Sequence, residues 1–129
     1  MKLDEVKNIL DAKPAWKKPA LDHGKREVSA CQASDLMSDV LNFRRPGSLL
    51  LTGLTNSQVV RTAEVGDIAA ICFVRDKWPQ EETVRLAEER GLPLLVTRLS
   101  MFEACGKLYG KGLGSCASKE AAPDCQNTR

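Results

Sequence analysis

The chain has 129 residues, 43% of them apolar, with nineteen basic and seventeen acidic side chains and a formal net charge of +2. That length suits a single domain able to bury roughly two-thirds of its unfolded surface. A near-balanced charge and three Phe, two Trp and one Tyr leave no basic stripe or stacking platform, so no nucleic-acid partner is expected. The longest apolar runs, such as residues 68–74, are strand-sized, so neither a signal peptide nor a membrane span is expected. The five cysteines are odd in number, which suits reduced thiols in a cytoplasm better than a disulfide frame.

Residues 1–10 are expected to form a short helix, because Leu3, Val6, Ile9 and Leu10 fall on one face. Pro14, Pro19, Gly24 and several lysines make residues 11–25 a loop, around a short strand near 20–22. A strand over residues 26–32 comes next, with Val28 and Ala30 on one side. Ser34 or Asp35 caps a helix to about Phe43, carrying Leu36, Val40 and Phe43, and Pro46-Gly47 breaks the chain beyond it. Residues 48–51 read as a buried strand, 52–56 as a tight polar loop, and a helix begins near Asn56. Thr55 and Gln58 have the spacing of a capping box. Val59, Val60 and Ala63 form that helix's apolar stripe, and Gly66 is expected to end it in the left-handed conformation.

A continuous apolar strand is expected over residues 69–74, of the kind buried on both faces. Pro79 suits the first position of the following helix, with Gln80, Glu81 and Glu82 at its positive end. That helix is expected to bury Val84, Leu86 and Ala87 and to stop at Gly91. Residues 92–97 read as a further strand. Ser100 and Glu103 form a second capping-box pattern, opening a helix whose Phe102, Cys105, Leu108 and Tyr109 are expected to turn inward. The alternation predicts one α/β domain over residues 1–113: a small, mainly parallel sheet of four or five strands with helices on both faces. Residues 114–129 are expected to form a disordered tail.

Few motifs carry chemistry. A kinase would need a phosphate loop in which a lysine and a hydroxyl follow two glycines at fixed spacing, opening a helix after a strand. The segment Gly106-Lys107-Leu108-Tyr109-Gly110-Lys111-Gly112 has another spacing, lacks the hydroxyl and closes a helix. Asp35 and Asp39 lie four apart, a spacing that divides acid and base roles or holds a cation when on one helix. Exposed aspartates near a helix start are equally explained by its dipole. Cys105 falls in the first turns of a helix, where a thiolate is favoured, yet a free cysteine also packs as a small hydrophobe. The only histidine is His23, in a basic loop, and there is no Cys-x-x-Cys element. No catalytic residue, metal site or cofactor is assigned.

Two polar strand-to-helix junctions stand out: Thr52-Gly53-Leu54-Thr55-Asn56 and Thr97-Arg98-Leu99-Ser100. In a parallel sheet both fall at the carboxyl edge, beside Arg75 and Lys77. Free helix N–H groups, hydroxyls and cations gathered there can accept a phosphate or a carboxylate. The competing reading is that Thr55 and Ser100 simply cap their helices and Gly53 eases a turn. The candidate ligand-binding residues are Asp35, Thr52, Gly53, Thr55, Asn56, Arg61 and Ser100.

Four stretches in order resemble stand-alone DRTGG-domain proteins: residues 33–41 (Ala-Ser-Asp-Leu-Met-Ser-Asp-Val-Leu), 47–56, 60–64 (Val-Arg-Thr-Ala-Glu) and 100–106 (Ser-Met-Phe-Glu-Ala-Cys-Gly). The likeness covers roughly residues 1–113, although the signature Asp-Arg-Thr-Gly-Gly is replaced by Leu51-Thr52-Gly53-Leu54. Such domains also occur in HPr kinase/phosphorylases, in CBS-containing inorganic pyrophosphatases and beside phosphotransacetylase domains, as regulatory or interface-forming modules. The resemblance implies a fold like the N-terminal domains of HPr kinase and MurF-type ligases, and a tendency to dimerise.

These readings lead to a non-catalytic sensing domain, expected to be a homodimer, whose strand-end loops take a small anionic ligand such as a nucleotide. Trp16 and Trp78 are candidates for the dimer interface. The alternatives are an interaction module for a larger partner enzyme, such as one of a redox complex, and a small hydrolase or transferase using Asp35, Asp39 or Cys105.

Overall fold

The computed structural model describes residues 1–16 and 23–116. Five helices, α1 (Leu3–Leu10), α2 (Met37–Asn42), α3 (Gln58–Val65), α4 (Glu81–Arg90) and α5 (Met101–Gly110), surround five strands. These are β1 (Lys13–Pro14), β2 (Cys31–Ala33), β3 (Leu49–Thr52), β4 (Ala70–Phe73) and β5 (Leu94–Val96). The sheet order is β1-β5-β4-β3-β2, with β2 to β5 parallel and β1 antiparallel on β5. The fold is α/β, with the mainly parallel sheet and the two helical faces expected.

The two faces divide the core by strand alternation. Leu49, Leu51, Ala70, Cys72 and Leu95 pack against α1 and α5. Leu50, Ile71, Phe73, Leu94 and Val96 pack against α2, α3 and α4. Every residue of β3, β4 and β5 is buried, the mark of strands covered on both sides. The consequence for function is directional. The loops leaving β3 and β4 turn to the α3–α4 face, whereas the loop leaving β5 turns to the opposite, α1–α5 face.

Several boundaries move for local reasons. The strand expected over 26–32 is confined to Cys31–Ala33, preceded by a single bridge between Lys2 and Glu27. β1 falls inside the segment expected as loop, and the short strand expected at 20–22 lies outside the described residues. α2 begins after Leu36; the Ser34 hydroxyl accepts the Leu36 N–H at 3.0 Å, a turn before the helix and not its cap. Gly66 is right-handed (φ −84°), and Asp67 takes the left-handed position (φ 55°). Gly91 does end α4 in the left-handed conformation (φ 67°), as a helix-terminating glycine should. Pro79 lies before Gln80, the residue preceding α4, so it stands outside the helix.

The inner face expected for α5 is corrected. Phe102 and Tyr109 point outward, 87% and 74% exposed, and Ala104 and Leu108 supply the inner face of α5. Trp16 is half-buried against the core and meets His23 edge-on at 5.0 Å, whereas Trp78 is half exposed. The chain also stays ordered past residue 113: the Gly114 carbonyl accepts the Cys31 N–H at 2.8 Å, Ser115 bridges Cys31, and Cys116 is buried. Residues 117–129 lie outside the described residues.

Candidate functional site

The carboxyl ends of β3, β4 and β5 lie side by side, because Thr52 pairs with Phe73 and Phe73 with Val96. At β3 the chain forms a corner around one carboxylate. Asp35 Oδ1 accepts the Thr52 hydroxyl at 2.9 Å and the Gly53 N–H at 2.7 Å. Thr52 Oγ1 in turn accepts the Leu54 N–H at 3.2 Å, a local turn that any strand-ending threonine can make. A methyl placed on Gly53 would meet the Asp35 carboxylate and Lys77 Cδ at ordinary contact distance, 3.7 Å, so the lysine stem runs beside the corner. Three of the candidate residues, Asp35, Thr52 and Gly53, are therefore joined. Asp39 is not among them: Asp35 precedes α2 and Asp39 lies within it, so the two do not share a helix.

Thr55, Asn56, Arg61 and Ser100 are placed separately. The Thr55–Gln58 capping box does not form, because Asn56 Oδ1 takes the Gln58 N–H at 3.1 Å. The Thr55 carbonyl instead accepts the Gln80 N–H at 3.1 Å and the Thr83 hydroxyl at 2.7 Å, tying this loop to α4. Arg61 is exposed and donates along its own helix to Ser57 Oγ at 3.1 Å. Ser100 makes the expected box: its hydroxyl accepts the Glu103 N–H at 3.1 Å, and Glu103 Oε1 accepts the Ser100 N–H at 3.1 Å. The bonds from the Ser100 backbone and hydroxyl hold the Glu103 carboxyl below its ordinary range, with Lys107 and Arg75 adding to the effect.

Sequence reasoning did not find a second feature of the same edge. The β4–α4 loop crosses to β5: the Arg75 N–H donates to the Leu99 carbonyl and the Asp76 N–H to the Thr97 carbonyl, both at 2.8 Å. The Thr97 hydroxyl reaches the Leu10 carbonyl at 2.7 Å, so the α1–β1 turn joins the same junction. Asp11, Arg75 and Asp76 all have left-handed backbones (φ 50°, 58° and 58°), which cost energy in residues other than glycine. Between these three loops lies a cleft of about 410 Å³ lined by Asp11, Lys13, Asp76, Trp78, Val96 and Arg98. The only signal in the sequence was the scatter of cations after two strands, and the cleft is made by loops far apart in the chain.

The thiols sit elsewhere. Cys31, Cys105 and Cys116 line a mainly apolar cavity of about 490 Å³ between the β2 edge and α5, beside Phe43, Phe102 and Tyr109. Burial pushes the Cys72 thiol up to about 12, and burial first, then the neighbouring Cys105, Cys116 and Cys72, pushes Cys31 up as well. Cys105 is raised by burial too, the reverse of an activated nucleophile. Among the described residues no group of three or more His, Cys, Asp or Glu is arranged to hold a metal ion. No helix among them is long and apolar enough to cross a membrane.

No protein-family model matches the chain. No curated protein matches it either. Among solved structures it is similar to the CBS and DRTGG domains of the regulatory region of Clostridium perfringens pyrophosphatase, complexed with the activator diadenosine tetraphosphate. The superposition has a TM-score of 0.63 at 14% identity and covers 83% of this chain and 45% of that one. The chain thus spans less than half the length of that neighbour. At this identity the likeness is one of fold: a DRTGG-like α/β arrangement that, in the neighbour, belongs to a regulatory region.

Proposed function

We propose that this chain is a non-catalytic, ligand-sensing regulatory domain that takes a small anion or nucleotide at the carboxyl edge of its sheet. The observation that carries the reading is the Asp35 corner. A backbone N–H and a hydroxyl at the end of a buried strand form an oxyanion seat, and an internal carboxylate already fills it. A phosphate or carboxylate ligand would replace one set of charge-assisted bonds with another, each contributing about 1.5–3 kcal/mol. The exchange frees Asp35 and the segment leading into α2, which is how binding would be reported to the rest of the domain. Lys77 supplies a cation beside the seat. The neighbour's nucleotide activator supports a nucleotide as the first class to try.

Calorimetric titration with nucleotides and phosphometabolites tests this reading. Saturable binding that Asn56→Ala weakens and Asp35→Asn alters supports it; no binding of any of them at millimolar concentration removes the ligand clause. Absence of turnover in activity panels, with and without magnesium, is the accompanying expectation.

The domain is further proposed to be a homodimer through the outer face of α5. Phe102, Tyr109 and the half-exposed Phe43 surround the apolar cavity beside the edge strand β2, an arrangement that favours a covered surface. The second reading, a module docking on a larger partner enzyme, draws on the same face and gains if light scattering finds a monomer. The cysteines among the described residues are all free thiols, which fits a reducing compartment such as a cytoplasm.

A further inference from the structure

In open α/β sheets, ligands settle in the crevice formed where the loops of two adjacent strands part to opposite faces. Here that place is unique among the parallel strands. The loops after β3 and β4 both lead to helices on one face, so no crevice opens between them. The loop after β4 leads to α4, packed with Leu50, Ile71 and Phe73, while the loop after β5 leads to α5, packed with Leu49, Leu51 and Cys72. The parting falls between β4 and β5, and the cleft of about 410 Å³ stands at that point.

The lining has the parts that one class of molecule requires. Trp78 is half exposed, and its indole N–H donates to Asp76 Oδ1 at 3.0 Å, which fixes the ring at the lip of the cleft. Lys13 and Arg98 are exposed, and among the described residues neither head group has an ion-pair or hydrogen-bond partner. Asp11 offers a carboxylate, the group that accepts from ribose hydroxyls in dinucleotide sites. The volume lies within the range of about 300–1,000 Å³ usual for small-molecule sites. Three non-glycine residues held in left-handed conformations border the cleft, so the backbone is held there against its preference.

We propose that this cleft is a nucleoside-phosphate site, in which Trp78 stacks on the base, Asp11 accepts from the ribose, and Lys13 and Arg98 hold the phosphate. The proposal rests on the reading of the carboxyl edge as a ligand face, and it assigns the nucleoside phosphate to the β4–β5 crevice while the β3 corner keeps its own seat for a small anion.

The test is calorimetric titration with ADP, adenosine and inorganic pyrophosphate of the full chain and of Trp78→Ala, Arg98→Ala and Asp35→Asn. Trp16→Phe and Trp78→Phe are used to assign any change in tryptophan fluorescence. The expected result is ADP binding weakened about tenfold by either cleft substitution, in line with the loss of one stacking or phosphate contact. The fluorescence response to ADP should persist in Trp16→Phe and vanish in Trp78→Phe. ADP binding that Asp35→Asn weakens and both cleft substitutions leave unchanged overturns the inference and keeps the corner reading. Failure of ADP to bind overturns the inference outright; pyrophosphate binding that depends on Asp35 would then leave only the corner reading standing.

Discussion

Asp35 holds two donors from one loop, the Thr52 hydroxyl and the Gly53 N–H. Asp35→Ala leaves both without that acceptor, and because the residue is exposed, water recovers part of the loss. The expected cost is about 1 kcal/mol in urea unfolding, with Asp35→Asn costing less because an amide oxygen still accepts. Ser100 and Glu103 give a pH-dependent counterpart. The folded Glu103 carboxyl lies below its ordinary range, so its contribution is present above the unfolded value and disappears as pH falls through the folded one. Glu103→Gln should flatten the acid limb of the stability curve, and Ser100→Ala should lower stability by about 1 kcal/mol. Cys72 works at the alkaline end. Its thiol is raised by burial from 9.0 to about 12, so its contribution is complete below 9.0 and lost as pH rises toward about 12. Cys72→Ala should make the alkaline decline of the urea midpoint shallower; an unchanged slope would contradict the burial argument.

The two capping-box patterns explain what was legible at this scale and what was not. Ser-x-x-Glu at 100–103 forms as its spacing predicts, since every partner lies within one turn. Thr-x-x-Gln at 55–58 has the same spacing and fails. A nearer acceptor, Asn56, takes the Gln58 N–H, and the Thr55 carbonyl is held by Thr83, 28 residues away. Asp35 was visible as a candidate, but its bond to Thr52 spans 17 residues and has no periodic signature.

Among the elements, β3, β4 and β5 were readable because unbroken apolar runs between turn residues specify strands covered on both faces. α5 was readable as a helix but not in its orientation. It carries two apolar stripes, Ala104 with Leu108 and Phe102 with Tyr109, and periodicity alone cannot rank them. Packing selects the slimmer stripe, so α5 lies close to the sheet with the aromatics left outside. Phe102→Asp and Tyr109→Ser should consequently change the unfolding free energy by no more than about 0.5 kcal/mol. A loss of several kcal/mol in chemical denaturation of the monomer would show that these rings are part of the core after all. β1 escaped notice because two residues, one of them proline, give no alternation to read; an edge position is where proline is tolerated.

For the whole molecule, the sheet presents two distinct surfaces: a polar carboxyl edge and an apolar flank at β2 and α5. If the flank is a self-association surface, Phe102→Asp should convert a dimer into a monomer by light scattering without altering ligand affinity. A dimer that survives Phe102→Asp would remove that flank from the account. The division of helices between faces, which opens the crevice between β4 and β5, could not be read from the chain, because α4 and α5 are both amphipathic and either face would accept them. The central claim is that the carboxyl edge is the ligand face, and backbone-amide NMR during an ADP titration tests it most directly. The account predicts shift changes concentrated at residues 52–56, 75–78 and 97–100; no change at millimolar ADP, or changes confined to the α5 flank, would contradict it.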